Sequence, residues 1–189
     1  GRTDIFHKSK LVVAVEHTPS PAILCRIDDM LGGVMGRCVG QDEVSLLNVK
    51  DTDGNNIPIG CAVCYESVYG EYYTEYIRKG ARAMTIITND AWWGNTPGYR
   101  QHLSYARLRA IETRRAIARC ANTGISAIIS PSGEIVSETG WWQSDVLEGQ
   151  IPLRNDITFF VDHGDITGRV CSFLSILLLL ALIVRFRTF

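Results

Sequence analysis

The run Val170–Val184 carries no charged residue and reads Val-Cys-Ser-Phe-Leu-Ser-Ile-Leu-Leu-Leu-Leu-Ala-Leu-Ile-Val. As a helix it is apolar on every side and has no polar stripe to turn toward water. Such a segment belongs in a protein interior or in a bilayer. A bilayer asks for about 20 apolar residues, and Ile166, Thr167, Gly168 and a snorkelling Arg169 extend the run toward that length. Only Arg185-Phe186-Arg187-Thr188-Phe189 follows, so little of the sequence remains to cover a buried helix. The expectation is one transmembrane helix with a short basic tail over residues 166–189; the alternative is a buried core helix. Arg185 and Arg187 assign the carboxyl end to the cytoplasm and the preceding domain to the opposite face.

Residues 1–165 are of another kind. The chain has 189 residues, 46% hydrophobic and 21% charged, enough for one ordinary globular core. A net charge of −1 provides no field to gather nucleic acid. Cys25, Cys38, Cys61, Cys64, Cys120 and Cys171 lack disulfide-scaffold density and paired zinc spacing. His7, His17, His102 and His163 show no metal-binding spacing, so no metal or cofactor is expected. The chain begins Gly1-Arg2-Thr3-Asp4 and reads as the carboxyl part of a longer protein.

Along the chain, Leu11–Val15 reads as a short apolar strand, Thr18–Pro21 as a break, and the glycine-rich 28–41 as a loop. Val44–Val49 and Ile57–Val63 flank the turn Asp51–Asn56 as a hairpin. Tyr69–Gly80 is helix-like and closed by glycine, Thr85–Thr88 is a buried strand, and Asn89–Tyr99 is a polar, aromatic loop. Leu103, Ala106, Ala110, Ile117 and Ala121 predict a long helix over 101–122, ended by Gly124. Its arginines 107, 109, 114, 115 and 119 read as a solvated face with local ion pairs, or else as a surface for anionic lipid. Strands are expected at 125–130, 135–137, 146–151 and 157–161, giving a layered α/β domain.

Chemistry concentrates in Ile57–Ser67, a buried strand that delivers Cys64 to the point where the pattern turns helical. A thiol there stands at the carboxyl edge of a sheet near a helix amino end, whose field favours thiolate. A small apolar core residue is the plain alternative for any cysteine. Gly60-Cys61-Ala62-Val63-Cys64-Tyr65-Glu66-Ser67 resembles the nucleophile strand of the nitrilase superfamily. Phe6–Val12 resembles that family's lysine segment with Lys8 at the catalytic position, and Ile87–Gly94 resembles the loop after the next strand. The resemblance is closest to the apolipoprotein N-acyltransferases, the membrane-bound branch that acylates bacterial lipoproteins.

That resemblance implies an α/β fold, a nitrilase-like α-β-β-α sandwich over 1–165 lacking its amino-terminal part, followed by the transmembrane helix. It also implies a monomer in the bacterial inner membrane, its catalytic domain periplasmic. Its substrates would be a phospholipid acyl donor and a lipoprotein acyl acceptor. Cys64 would be the nucleophile that forms a thioester. Lys8 would stabilise the oxyanion, joined by the backbone N–H of Tyr65. Glu16, eight residues past Lys8, would be the supporting glutamate, although Lys10 and Val13-Ala14-Val15 depart from the commoner family pattern. Glu66 is expected either to hold the Lys8 and Cys64 region by hydrogen bonds or to serve as a helix-start acid. Asn89, Trp92, Trp93 and Gly94 form the neighbouring loop, its tryptophans suited to an acyl groove or a membrane interface. The family's general-base glutamate would lie before Gly1, so the isolated chain is expected to be inactive.

Two other readings account for parts of the pattern. One is a nitrilase-type amidase using water as acceptor, which leaves the apolar tail unexplained. The other is a membrane-tethered thiol or lipid-binding module with Cys61 and Cys64 as a redox pair, although strand positions three apart point to opposite faces. Activity assays separate them: acyl chemistry predicts near-normal turnover for Cys61→Ala and none for Cys64→Ser, whereas a redox pair predicts loss with either.

Overall fold

The computed structural model of the chain describes residues 5–12, 16, 38 and 40–187. Leu11 and Val12 of the strand expected at 11–15 are in no strand, and residues 13–15, the break at 18–21 and most of the 28–41 loop lie outside the described residues. Six strands form one sheet in the order β1-β2-β3-β4-β5-β6: Leu46–Lys50, Asn56–Val63, Ala83–Asn89, Ile117–Asn122, Ala127–Ile129 and Ile135–Glu138. β1 and β2 are the expected hairpin, paired antiparallel from Leu46–Gly60 to Lys50–Asn56. β2, β3 and β4 run parallel, and β5 and β6 return antiparallel.

Parallel neighbours need crossovers, and two helices provide them. α1, Gly70–Arg78, joins β2 to β3, and α2, Gly98–Thr113, joins β3 to β4. α1 buries Tyr72, Tyr73, Tyr76 and Ile77, one face of a 3.6-residue period, and ends where Gly80 adopts a φ of +102°. α2 contributes Leu103, Ala106 and Ala110 to the same core, against Ala62, Met84, Ile86, Ile117, Ala127 and Ile129 of the sheet. Each buried Met or Ile contributes about 1.5–3 kcal/mol. The opposite face of the sheet leaves Val49, Ile87 and Val136 exposed. The described residues thus make one helical and one β layer, half of a four-layer α-β-β-α sandwich.

The helix expected over 101–122 stops at Thr113, and 117–122 is strand β4. Arg114 takes a left-handed φ of 52°, which ends the helix, and the next residues pair in register with β3 from Met84–Ile117 to Asn89–Asn122. Ile117, Ala118 and Ala121 matched a helical stripe because a central strand also buries apolar residues closely spaced in sequence. Arg107 and Arg114 are exposed, as a solvated face requires, but the other three arginines depart from both surface readings. Arg109, Arg115 and Arg119 are buried. Arg109 pairs with Glu112 at 3.1 Å, and Arg115 donates to the carbonyls of Ala81 at 2.8 Å and Thr113 at 3.2 Å. They satisfy carbonyls and acids inside the fold.

No strand forms at 146–151 or 157–161: residues 143–158 are irregular, and Phe159–His163 is a short helix, α3. Val146 and Ile157 are exposed and find no strand edge, while the Thr158 hydroxyl accepts from Val161 N–H at 3.1 Å and caps a helical turn. Arg78 Nε donates to the Val161 carbonyl at 2.8 Å, tying α3 to α1. The last helix, α4, spans Ile166–Arg187 and is about 33 Å long at 1.5 Å per residue. Its segment Ile166–Phe186 is long and apolar enough to cross a membrane, and none of it is buried against the domain. At its root Arg169 bonds Glu71 at 2.6 Å.

Arg115→Ala is expected to cost about 2–3 kcal/mol by orphaning buried carbonyls. Arg114→Gly, which relieves the left-handed φ, should be neutral or gain about 1 kcal/mol. Chemical denaturation of the two variants in detergent checks both.

Candidate active site

β2, β3 and β4 end side by side at one carboxyl edge, the usual place for a site in an open α/β sheet. Cys64 is the first residue after β2 and has a φ of +55°, rare for a residue with a β-carbon. The helix expected from Tyr69 begins at Gly70, and Cys64–Val68 between strand and helix is a 3-10 turn. A cavity of about 490 Å³ opens in front of Cys64, lined by Val12, Glu16, Cys64, Tyr65, Tyr69, Asn89, Trp92 and Trp93. Its walls are mainly apolar and aromatic, with few polar groups, as ligand sites are. Trp92 and Trp93 sit on a second 3-10 turn, Asp90–Trp93, rather than in a plain loop. Trp92 is 74% exposed at the rim, while Trp93 is half-buried against Gly98 and 6.4 Å from the His102 ring.

Glu16 and Lys8 form a pair at the cavity wall, Nζ to Oε2 at 2.6 Å, and Val12 N–H donates to the same oxygen at 2.7 Å. Burial pushes the Glu16 carboxyl up, but the Lys8 hydrogen bond, the Val12 N–H and the Lys8 charge outweigh it and hold the group below the usual range. Lys8 does not itself line the cavity and reaches it through Glu16. Gly94 lies outside the lining and closes the 3-10 turn, its N–H donating to Ala91 at 3.1 Å. Asn89 lines the cavity, accepts from Ala91 N–H at 3.2 Å and is held by Asn122 at 3.3 Å.

Glu66 does not touch the cavity. It is fully buried, and its carboxylate bonds both the Lys8 segment and the residue before Cys64. One oxygen accepts from the backbone N–H of Ser9 at 2.5 Å and of Lys10 at 3.0 Å, and from the Tyr72 hydroxyl at 3.2 Å. The other accepts from Val63 N–H at 2.7 Å, which caps the turn after Cys64. Burial, helped by the Glu66 charge, pushes the Tyr72 phenol up to about 12. Cys61 is buried in β2, and burial pushes its thiol up, with the Glu66 charge adding to the effect. That environment opposes thiolate formation and sets Cys61 apart from Cys64 at the cavity. Both thiols are free.

Three residues outside the expected site sit directly behind it. His102 Nδ1 is 2.9 Å from Asp90 Oδ1, Arg119 Nη2 donates to Asp90 Oδ2 at 2.7 Å, and His102 Nε2 is 3.2 Å from the Cys64 carbonyl. All three are buried. They come from α2, the turn after β3, and β4, so no spacing in the sequence relates them. The one available signal was a histidine set among the buried Leu103, Ala106 and Ala110 of α2.

The chain is thus an α/β protein with a cysteine-centred cavity at the carboxyl edge of its parallel strands. A protein-family model described as carbon-nitrogen hydrolase matches residues 3–155, and the chain belongs to that family. It is 35% identical over 99% of its length to an apolipoprotein N-acyltransferase of Chlorobaculum tepidum, covering 36% of that protein. It is 33% identical over 90% of its length to one of Geobacter metallireducens, covering 31%. The chain therefore spans about a third of the length of these curated relatives. Among solved structures, Saccharomyces cerevisiae Nit3, a member of branch 10 of the nitrilase superfamily, aligns over 60% of this chain and 41% of its own. The identity is 21% and the TM-score 0.45.

Burial raises the Asp90 pKa, yet the His102 and Arg119 hydrogen bonds and charges overcome it and leave the carboxyl below its usual value of 3.8. A depressed carboxylate stabilises the fold fully above that value and ceases to do so as pH falls through its lower folded value. The stability gap between wild type and Asp90→Asn is therefore expected to be widest at pH 7 and to shrink below about pH 4. Urea titrations in detergent across that range measure the gap.

Proposed function

We propose that the chain carries the acyl-transfer site of an apolipoprotein N-acyltransferase. The observation that carries this reading is Cys64, on a left-handed elbow, facing a mainly apolar cavity that the Lys8–Glu16 pair borders. The similarity to curated N-acyltransferases along nearly the whole chain supports it.

In the first half-reaction the Cys64 thiolate attacks an ester carbonyl of a phospholipid. The S–C bond forms, the oxyanion collapses, and the lysophospholipid alkoxide leaves with a proton, giving a thioester. In the second, the α-amino group of a lipoprotein's diacylglyceryl-modified amino-terminal cysteine attacks the thioester. An amide forms, and the thiol returns to Cys64. Lys8 supplies positive charge toward the oxyanion of each step, with the N–H of Tyr65 as a second donor. Glu16 orients the ammonium, and Trp92, Trp93, Tyr65 and Tyr69 offer apolar surface for an acyl chain. No cofactor enters these steps.

The proposed organisation is a catalytic domain over 1–165 and a membrane span over 166–189. The domain would be periplasmic and the span would sit in the bacterial inner membrane. Both substrates are lipids, so tethering raises their effective concentration at the site. The protein would act as a monomer. A nitrilase-type amidase with water as acceptor is the second reading, favoured by the carbon-nitrogen hydrolase match but not by the exposed apolar helix α4.

The test is intact-mass spectrometry of the whole gene product, in detergent, incubated with phospholipid. An added acyl mass on Cys64, released by a diacylated lipopeptide and absent in Cys64→Ser, is the expected result. Hydrolysis of simple amides with no acyl adduct favours the second reading.

A further inference from the structure

The elbow at Cys64 places a residue with a β-carbon in the left-handed region, which steric contact of that carbon with the backbone disfavours. Such a conformation persists only where its surroundings hold it. Here the holding groups converge on one atom, the carbonyl oxygen of Cys64. Ser67 Oγ donates to it at 2.9 Å, and His102 Nε2 lies 3.2 Å from it and 3.2 Å from the same hydroxyl. The imidazole is fixed from behind. Asp90 Oδ1 stands 2.9 Å from Nδ1 and also accepts from the Thr88 hydroxyl at 3.0 Å. Arg119 donates to Asp90 Oδ2 at 2.7 Å and to the Ile125 carbonyl.

Space for Asp90 is reserved as well. A β-carbon on Gly124 would sit 2.7 Å from the Asp90 Cβ, closer than packed atoms approach. The chain of contacts runs from β4 and the Gly124 turn, through Asp90, to the ring on α2 and then to the nucleophile's own backbone.

We propose that His102 is a positioning residue for Cys64. Its ring donates from both nitrogens, Nδ1–H to Asp90 Oδ1 and Nε2–H to the Cys64 carbonyl, and so pins that carbonyl and aims the sulfur on the same Cα into the cavity. The inference rests on Cys64 being the nucleophile, as proposed above. His102 is not itself a lining residue of the cavity and meets it through the Cys64 backbone.

The experiment uses the whole gene product in detergent, with His102→Ala, His102→Gln and Gly124→Ala. Four quantities are read: the rate at which iodoacetamide alkylates Cys64, kcat and KM for acyl transfer, and the melting midpoint. With the pin removed, His102→Ala is expected to lower kcat about 100-fold with KM within about twofold. Alkylation of Cys64 should slow about tenfold as the sulfur leaves the cavity wall. His102→Gln, whose amide N–H still reaches the Cys64 carbonyl, should recover about tenfold in kcat. Gly124→Ala, which displaces Asp90 without touching ring or thiol, should lower kcat in the same direction without moving KM.

Wild-type kcat and alkylation in His102→Ala would overturn the proposal. So would equal losses in the Ala and Gln variants that track a common fall in melting midpoint, because that pattern assigns His102 to stability alone. Should wild type transfer no acyl group while His102→Ala still slows alkylation and Gln restores it, the positioning role stands and the acyltransferase reading falls.

Discussion

One buried carboxylate holds the two halves of the site together. Glu66 takes N–H groups from Ser9 and Lys10 on one side and from Val63 on the other, with the Tyr72 hydroxyl completing the set. Hydrogen bonds to a charged group contribute about 1.5–3 kcal/mol each, and an orphaned buried donor costs about as much. Among the described residues no strand pairing joins the Lys8 segment to the sheet, and this carboxylate ties it down together with the Phe6–Tyr76 ring contact and Lys10 over the Tyr72 ring.

The same economy of buried charge runs through the rest of the domain. Arg115 closes carbonyls of Ala81 and Thr113 where α2 meets the sheet, and Arg119 locks Asp90. Breaking a buried pair by removing one partner is expensive, which makes these residues sensitive positions even though they lie away from the cavity. The Asp90–His102–Arg119 cluster uses that rigidity for the backbone of Cys64. Rigid support behind a reactive group matters because small displacements at a reacting atom cost large factors in rate.

At the root of the apolar helix α4, Arg169 and Glu71 meet, both largely exposed, and solvent screens such a pair. Thr158 donating to the Glu112 carbonyl at 2.5 Å and Arg78 holding Val161 anchor the preceding segment more firmly. The helix leaves Phe173, Leu178 and Leu179 uncovered, which suits a lipid surround and not water.

Much of this was legible in the residues. The hairpin β1–β2, the strand that ends at Cys64, helix α1 with its closing glycine and the long apolar helix follow from local pattern and turn chemistry, interactions a few residues apart. The family resemblance named Lys8 and Glu16 as site residues, and their contact at 2.6 Å is a feature of the structure. What sequence pattern misjudged depends on partners far along the chain. Residues 117–122 fit a helical stripe, and only two neighbouring strands make them β4; arginines that look solvent-facing in a list are buried because the sheet brings carbonyls and Asp90 to them. Local pattern determined the hairpin, the strand that ends before Cys64, helix α1 and the apolar helix. Tertiary structure alone decided that Glu66 would join Ser9 to Val63, and that His102 would stand behind Cys64. Those contacts span 35 to 57 residues, and no short-range preference encodes them.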